Sequence, residues 1–359
     1  MEALVELGLE RLVGEALAFL NIDFDFIDCP VFDALPADRL VLEILEDTEP
    51  NEANLDRVRN LKMRGFVLAI DDYAFQPHLE PFLEFAQIVK LECTELDPAA
   101  DANRIRRLIL NGKCLLAEKI EEPATFEAYK ALGCQMFQGF FFARPSLIQG
   151  STVASNKAAL MTFLARIHDE DISLREIEQI VSSDVSFTYK LLKLVHSAQI
   201  AAPTNVQTVG QAIMYLGLRS TAAIASVLAL SAVDDQPAEL LVHSLVRAKM
   251  CEELARSHGI HEPETCFTLG LLSVLDAYLN RPMAEILETL PLTARLKTAL
   301  LGQDSEMPMQ RVLHCVLAYE RADFDRASAF EFDEAITAAA YEESVRWADG
   351  TYANLQRPS

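Results

Sequence analysis

Six polar residues recur through the first 145 residues, each near the C-terminal end of an apolar, β-rich run. They are Asn21, Glu43, Asp71, Lys90, Glu118 and Gln138, separated by 22, 28, 19, 28 and 20 residues. Each interval is the length of one strand–helix unit. The runs are AFLNIDF (18–24), RLVLEILE (39–46), FVLAIDDY (66–73), IVKLE (88–92), KCLLAEKI (113–120) and CQMFQGFFF (134–142). All are rich in Val, Ile, Leu or Phe, as strands buried on both faces must be. Helical stretches such as 54–64 and 123–132 separate them. Consecutive parallel strands bring their C-terminal ends to one rim, where (β/α)-barrel sites are built. Carboxylates, an amide oxygen and an ammonium group would then converge, and oxygen ligands of this kind suit Mg²⁺ or Mn²⁺. Any one such residue could simply cap a strand; six in register with the strand–helix unit argue for a site.

After residue 145 the pattern changes. Strand runs vanish, and helical periodicity dominates from about residue 155 onward. Ser173-x-x-Glu176 and Thr208-x-x-Gln211 have the form of capping boxes that open amphipathic helices. A polar stretch at 146–154 (SLIQGSTVA) separates the halves, so two domains are expected, 1–146 and 153–345. The fold class is α/β plus all-α.

The formal net charge of −23 sets limits on partners. A surface this acidic repels nucleic acid and anionic lipid, so neither is an expected partner. A dianionic nucleotide would need a local Lys, Arg or metal ion. Seven cysteines without a CxxC pair suggest reduced thiols, and no apolar run is long enough to span a bilayer. A cytoplasmic protein is expected.

The runs of the first half resemble the EAL family of cyclic-di-GMP phosphodiesterases. LVLEILE is similar to the family's glutamate-bearing third-strand motif, AIDDY to its DDFG segment and VKLE to its KID strand. AEKIEE and LGCQMFQGFFFARP resemble the AEGVE and QGY-to-Pro signatures. The resemblance implies that Asn21, Glu43 and Asp71 are metal ligands, with Asp72 and Glu118 as second-metal carboxylates. It places Glu118 near the base position and Lys90 against the water or phosphate, as catalytic residues. Gln138 and Glu121 become ligand-binding residues, Gln138 completing the mouth and Glu121 bracing the neighbouring loop. Glu2-Ala3-Leu4 spells the family's name motif but lies only 19 residues before Asn21. That spelling reads as part of a helix over residues 1–13. The expectation is therefore a partial (β/α) barrel of TIM type that lacks its first strands, six where a closed barrel has eight. Asp71-Asp72-Tyr73-Ala74-Phe75 also lacks the family's loop glycine, and Lys90-Leu91-Glu92 displaces a carboxylate by one methylene.

The second half resembles the HDOD domain, an all-helical, HD-like fold. The resemblance lies in SDVSFTYKLLKLVHSA (183–198), TVGQAIMYLG (208–217) and ETCFTLGLLSVL (264–275). The AYERADF run (318–324) is similar to the tail of proteins joining the same two domains. True HD phosphohydrolases carry a His-Asp dyad where this chain has Ser273 and Val274, so no metal is expected here and His243 reads as a helix-surface or packing residue. His168-Asp169 reads as a solvated turn. Together the resemblances imply a non-catalytic effector or scaffold of cyclic-di-GMP signalling, with protein partners through the HDOD half, cyclic-di-GMP as ligand and a homodimer as one assembly. An active phosphodiesterase is the alternative if upstream strands are supplied, and pure protein interaction is the third reading.

Overall fold

The run LVLEI is buried at all five of its positions, and IVKLE likewise. Such runs fit only the middle of a sheet covered on both faces. The computed structural model describes residues 16–22, 24, 36–139, 155–169, 171–197, 200, 206–233 and 236–356. The readings of residues 1–13 and of Glu2-Ala3-Leu4 lie outside them. The chain divides into two units, Met1–Phe141 and Phe142–Ser359.

In the first unit the strands are β1 (Ala18–Ile22), β2 (Leu40–Ile44), β3 (Val67–Tyr73), β4 (Ile88–Glu92), β5 (Cys114–Glu118) and β6 (Met136–Phe137). All pair in parallel, in the sequential order β1-β2-β3-β4-β5-β6. Among the described residues this is an open six-stranded sheet, as the six runs predict. Helices α1 (Glu52–Met63), α2 (Ala102–Leu110) and α3 (Pro123–Leu132) supply crossovers. Asn51 starts α1 by accepting the Asn54 amide at 2.9 Å. Gly133, at φ +102, ends α3 in the left-handed conformation that a side chain resists.

Alternation along the strands sorts side chains onto two faces. Leu40, Leu42, Ile44, Leu68, Ile70, Val89 and Leu91 join Val58 and Leu61 of α1 and Ile105 and Leu108 of α2 in the larger core. Val41, Ala69, Ile88 and Leu116 form a separate small cluster on the opposite face. Two residues further along each of β2, β3 and β5, and on β4 as well, that second face turns polar, with Glu43, Asp71, Lys90 and Glu118. This switch places the rim. Just beyond β6, a Cβ on Gly139 would lie 2.2 Å from the Ile120 carbonyl oxygen. Only glycine lets the β6 end approach the loop after β5 so closely.

The second unit is helical. Its elements are α4 (Ser155–Ile167), α5 (Leu174–Ser182), α6 (Val185–Val195), α7 (Val209–Leu216), α8 (Leu218–Leu230), α9 (Ala238–Ser257) and α10 (Pro263–Leu272). They continue as α11 (Leu275–Leu279), α12 (Met283–Thr289), α13 (Ala294–Leu300), α14 (Pro308–Tyr319), α15 (Phe324–Ser328) and α16 (Glu334–Gln356). Both capping boxes form: Ser173 and Glu176 open α5, Thr208 and Gln211 open α7. At Gly270 a Cβ would meet the Ala248 Cα at 2.8 Å, so the glycine sets how closely α9 and α10 pack. No described helix is long and apolar enough to cross a membrane. The six described cysteines are free.

Candidate functional site: an acidic rim around two lysines

The rim is assembled by strand register. Asn21 pairs with Glu43 across β1 and β2, Glu43 with Ala69 across β2 and β3, and Glu92 with Glu118 across β4 and β5. Between β3 and β4 the register shifts: Ile70 pairs with Val89 but Tyr73 with Leu91. Three steps on β3 therefore match two on β4, which is a bulge of one residue. Asp72, at φ +41, is in the irregular stretch. The bulge brings the consecutive Asp71 and Asp72 carboxylates to one place, which a regular strand would send to opposite faces.

Lys90 is the centre. Its Nζ lies 2.6 Å from Glu43, 2.6 Å from Asp71 and 3.0 Å from Glu118. Lys90, Glu43 and Glu118 are all buried. Burial alone would lower the Lys90 pKa, but contacts with Asp71, Glu43 and Glu118 raise it, so the ammonium stays charged. One cation does not satisfy three acids. Burial pushes the Glu118 carboxyl up to about 7, and Lys90 offsets this only in part. Burial likewise raises Glu43 against the pull of Lys90. Glu118 Oε2 is buried without a hydrogen-bond partner, while Glu43 Oε1 lacks a hydrogen bond but has the Lys90 charge beside it.

A second lysine stands beside the first group. Lys119 Nζ lies 3.0 Å from the Asp72 carboxylate and also contacts Glu92. Glu92 takes a further hydrogen bond from Thr94 Oγ1. Burial would raise Glu92, but Lys119, Thr94 and Asp72 hold it down at about 2. Burial and the neighbouring Glu92 raise Asp72, with Lys119 acting against them.

The structure thus brings Glu43, Asp71, Lys90 and Glu118 into direct contact and places Asp72 next to them. Asn21 is exposed, beside Glu43 in register on the outer strand. Gln138 and Glu121 are exposed too; the Gln138 backbone is tied in, its amide donating to Ala117 at 2.8 Å and its carbonyl accepting from Ile120 at 3.1 Å. Two rim residues were not singled out by the strand-end pattern, Glu92 and Lys119. Glu92 was visible as the carboxylate displaced in Lys90-Leu91-Glu92. Lys119 gave no signal beyond standing after Glu118.

Asp71, Asp72 and Glu118 offer one carboxylate oxygen each, all within 4.8 Å of one another. With the orphaned Glu118 Oε2, this donor set fits one hard divalent cation such as Mg²⁺ or Mn²⁺. A cation here would supply positive charge for a phosphate oxygen and keep Glu118 ionised.

In the helical unit, the positions expected to lack a dyad are filled by other contacts. Ser273 Oγ accepts from Arg247 at 3.0 Å, and Val274 is buried in the core. Arg247 donates to both oxygens of Glu320, at 2.7 to 3.1 Å, and to His243 Nε2 at 2.9 Å. His168 corrects the solvated-turn reading. Its Nε2 lies 2.8 Å from Ser226 Oγ, and burial lowers its pKa to about 4, while Asp169 beside it is exposed.

The family model described as EAL domain matches residues 29–145, and the one described as HDOD domain matches 154–315. The chain is similar to the cyclic di-GMP phosphodiesterase CdgJ of Vibrio cholerae, 29% identical over 328 residues, which span 90% of this chain and 76% of that protein. It is 27% identical to the YuxH protein of Bacillus subtilis over 362 residues, 97% of this chain and 87% of that one. Among solved structures, the PaMucR phosphodiesterase in complex with c-di-GMP covers 36% of this chain and 62% of its own, at 24% identity and a TM-score of 0.30. The chain carries an EAL domain followed by an HDOD domain.

Proposed function

We propose that this protein is an effector or scaffold of cyclic-di-GMP signalling, binding the dinucleotide at the EAL rim with one divalent cation and engaging a protein partner through the HDOD half. The observation that carries this reading is the convergence of Glu43, Asp71, Asp72 and Glu118 around Lys90 at the C-terminal ends of parallel strands. Excess carboxylate in a buried place favours a cation, and a cation beside Lys90 favours a phosphate. Asn21 would add an oxygen ligand for the cation, Gln138 would complete the mouth and Glu121 would brace the neighbouring loop. Two features argue for binding without turnover. Lys119 already offsets one of the two charges of Asp72 and Glu92, and the sheet is open among the described residues. In the helical half the Arg247 charge is matched by Glu320 and Val274 is buried in the core, an arrangement that fits an interaction role.

The second reading is an active phosphodiesterase, favoured by the match to CdgJ across 90% of the chain. Calorimetric titration with cyclic-di-GMP, with and without Mn²⁺, tests the first; chromatographic assay of hydrolysis tests the second. Metal-dependent binding with background hydrolysis is expected. Robust turnover that disappears in Glu118→Ala would establish the phosphodiesterase. No binding of metal or nucleotide at millimolar concentration would leave protein interaction as the function.

A further inference from the structure

The Asp72–Glu92 pair raises a question that the rim's role does not answer. Two carboxylates face one another, Glu92 with a side chain only 6% exposed and Asp72 27% exposed. Such a pair needs a cation, and the chain supplies one from the adjacent loop. Lys119 reaches both acids with one ammonium, which has three protons to share. Its backbone is at φ +54, a left-handed conformation that non-glycine residues adopt at a cost. The half-exposed side chain gains little by burial. The contact that accounts for the position is the one to the two carboxylates.

We propose that Lys119 is a tethered counter-cation for the Asp72–Glu92 pair, standing where a divalent ion would otherwise bind, so that the rim takes one ion fewer than its carboxylates could hold. The inference rests on the reading that the rim binds divalent cations at all. Charge and reach make the argument. The pair carries two negative charges and the ammonium cancels one, so a divalent ion would suit the pair better in free solution. The lysine has the advantage of being attached. A group held within bonding distance acts at a high effective concentration, which dissolved Mg²⁺ does not match. Asp72 also belongs to the Asp71–Asp72–Glu118 group, whose donors lie within 4.8 Å. Without Lys119, that acidic group extends through Asp72 to Glu92 and contains donors for two adjacent ions.

The test is the number of Mn²⁺ ions bound per full-length chain, by calorimetric titration and by electron paramagnetic resonance of free Mn²⁺. Four variants join the unchanged protein: Lys119→Gly, whose backbone suits φ +54; Lys119→Gln, which keeps the length without the charge; Lys119→Arg; and Lys119→Gly with Glu92→Gln. Lys119→Gly and Lys119→Gln should each bind one ion more than the unchanged protein. Lys119→Arg should bind the same number, and the double variant should lose the gain. The difference is what counts. If the unchanged protein binds none and Lys119→Gly binds one, the single-ion reading of the rim fails while Lys119 remains the replacement cation. Equal numbers in the unchanged protein and in both neutral variants overturn the proposal, as does a loss of ions on removing Lys119.

Discussion

Lys90 in the EAL half and Arg247 in the HDOD half are both buried cations, 5% and 7% exposed, yet their surroundings are opposite. Arg247 meets one acid, Glu320, through both carboxylate oxygens, and its remaining donors go to Ser273 and His243. Burial would raise Glu320, but the Arg247 charge and His243 hold it down at about 2. Lys90 meets three acids, leaves Glu118 Oε2 unpartnered, and lets the Glu118 carboxyl rise to about 7. The balanced cluster has no capacity left for a ligand. The unbalanced one has negative charge to spare, which marks it as a place for a cation. Buried charge by itself is thus a poor sign of a binding site; the sign is buried charge left uncompensated.

The largest expected effect comes from breaking the balanced pair. Glu320→Leu should cost about 3–5 kcal/mol, because it strands the Arg247 charge. Urea denaturation at neutral pH measures it, and Arg247→Met with Glu320→Leu should recover most of the loss. A single-variant cost below about 1 kcal/mol, the scale of an exposed pair, would remove the contrast between the clusters.

Glu118 and Glu320 should also respond to pH with opposite sign. Glu118 binds its proton more tightly when folded, about 7 against 4.5. The native state then holds more protons between those values, and stability falls as pH rises through the window. Glu320 is the reverse, about 2 against 4.5, so its contribution is present above 4.5 and is lost as pH falls toward 2. Each limb amounts to about 3 kcal/mol at about 1.4 kcal/mol per pH unit. Stability curves of the parent and of Glu118→Gln, measured without metal, check this. A variant that keeps the fall between pH 4.5 and 7 would mean that Glu118 is not its source.

Cation binding should come next in size. Mn²⁺ at a hundredfold excess over its dissociation constant should stabilise the chain by about 2.7 kcal/mol. Asp71→Asn should abolish the effect while keeping the fold, and Glu320→Leu should leave the increment intact. A metal response that tracks Glu320 instead would put the cation site in the wrong half.

The smallest effect concerns a purely local feature. Ser173→Ala removes the hydroxyl that accepts the Glu176 amide and should cost about 1 kcal/mol. Thermal melting reads the loss, and the Mn²⁺ increment should not change. A change in the increment would show that the halves are energetically coupled.

What the sequence determined on its own was everything that depends on neighbours along the chain. Apolar runs at strand–helix spacing specified six parallel strands, and Ser173-x-x-Glu176 specified a helix start, because alternation and capping are settled within a few residues. The C-terminal ends of the strands placed Glu43, Asp71, Lys90 and Glu118 on one rim, and the resemblance to the EAL and HDOD families named the two units. Tertiary structure alone decided which charges meet. Glu92 and Lys119 are 27 residues apart, and Arg247 and Glu320 are 73 apart. No local pattern links either pair. The bulge between Ile70 and Tyr73, which turns two consecutive aspartates to one side, is likewise a property of β3 against β4. The physical reason is range. Backbone conformation follows from nearby sterics and hydrogen bonds, whereas the state of an ionisable group follows from burial and from charges that only the folded chain brings within a few ångströms.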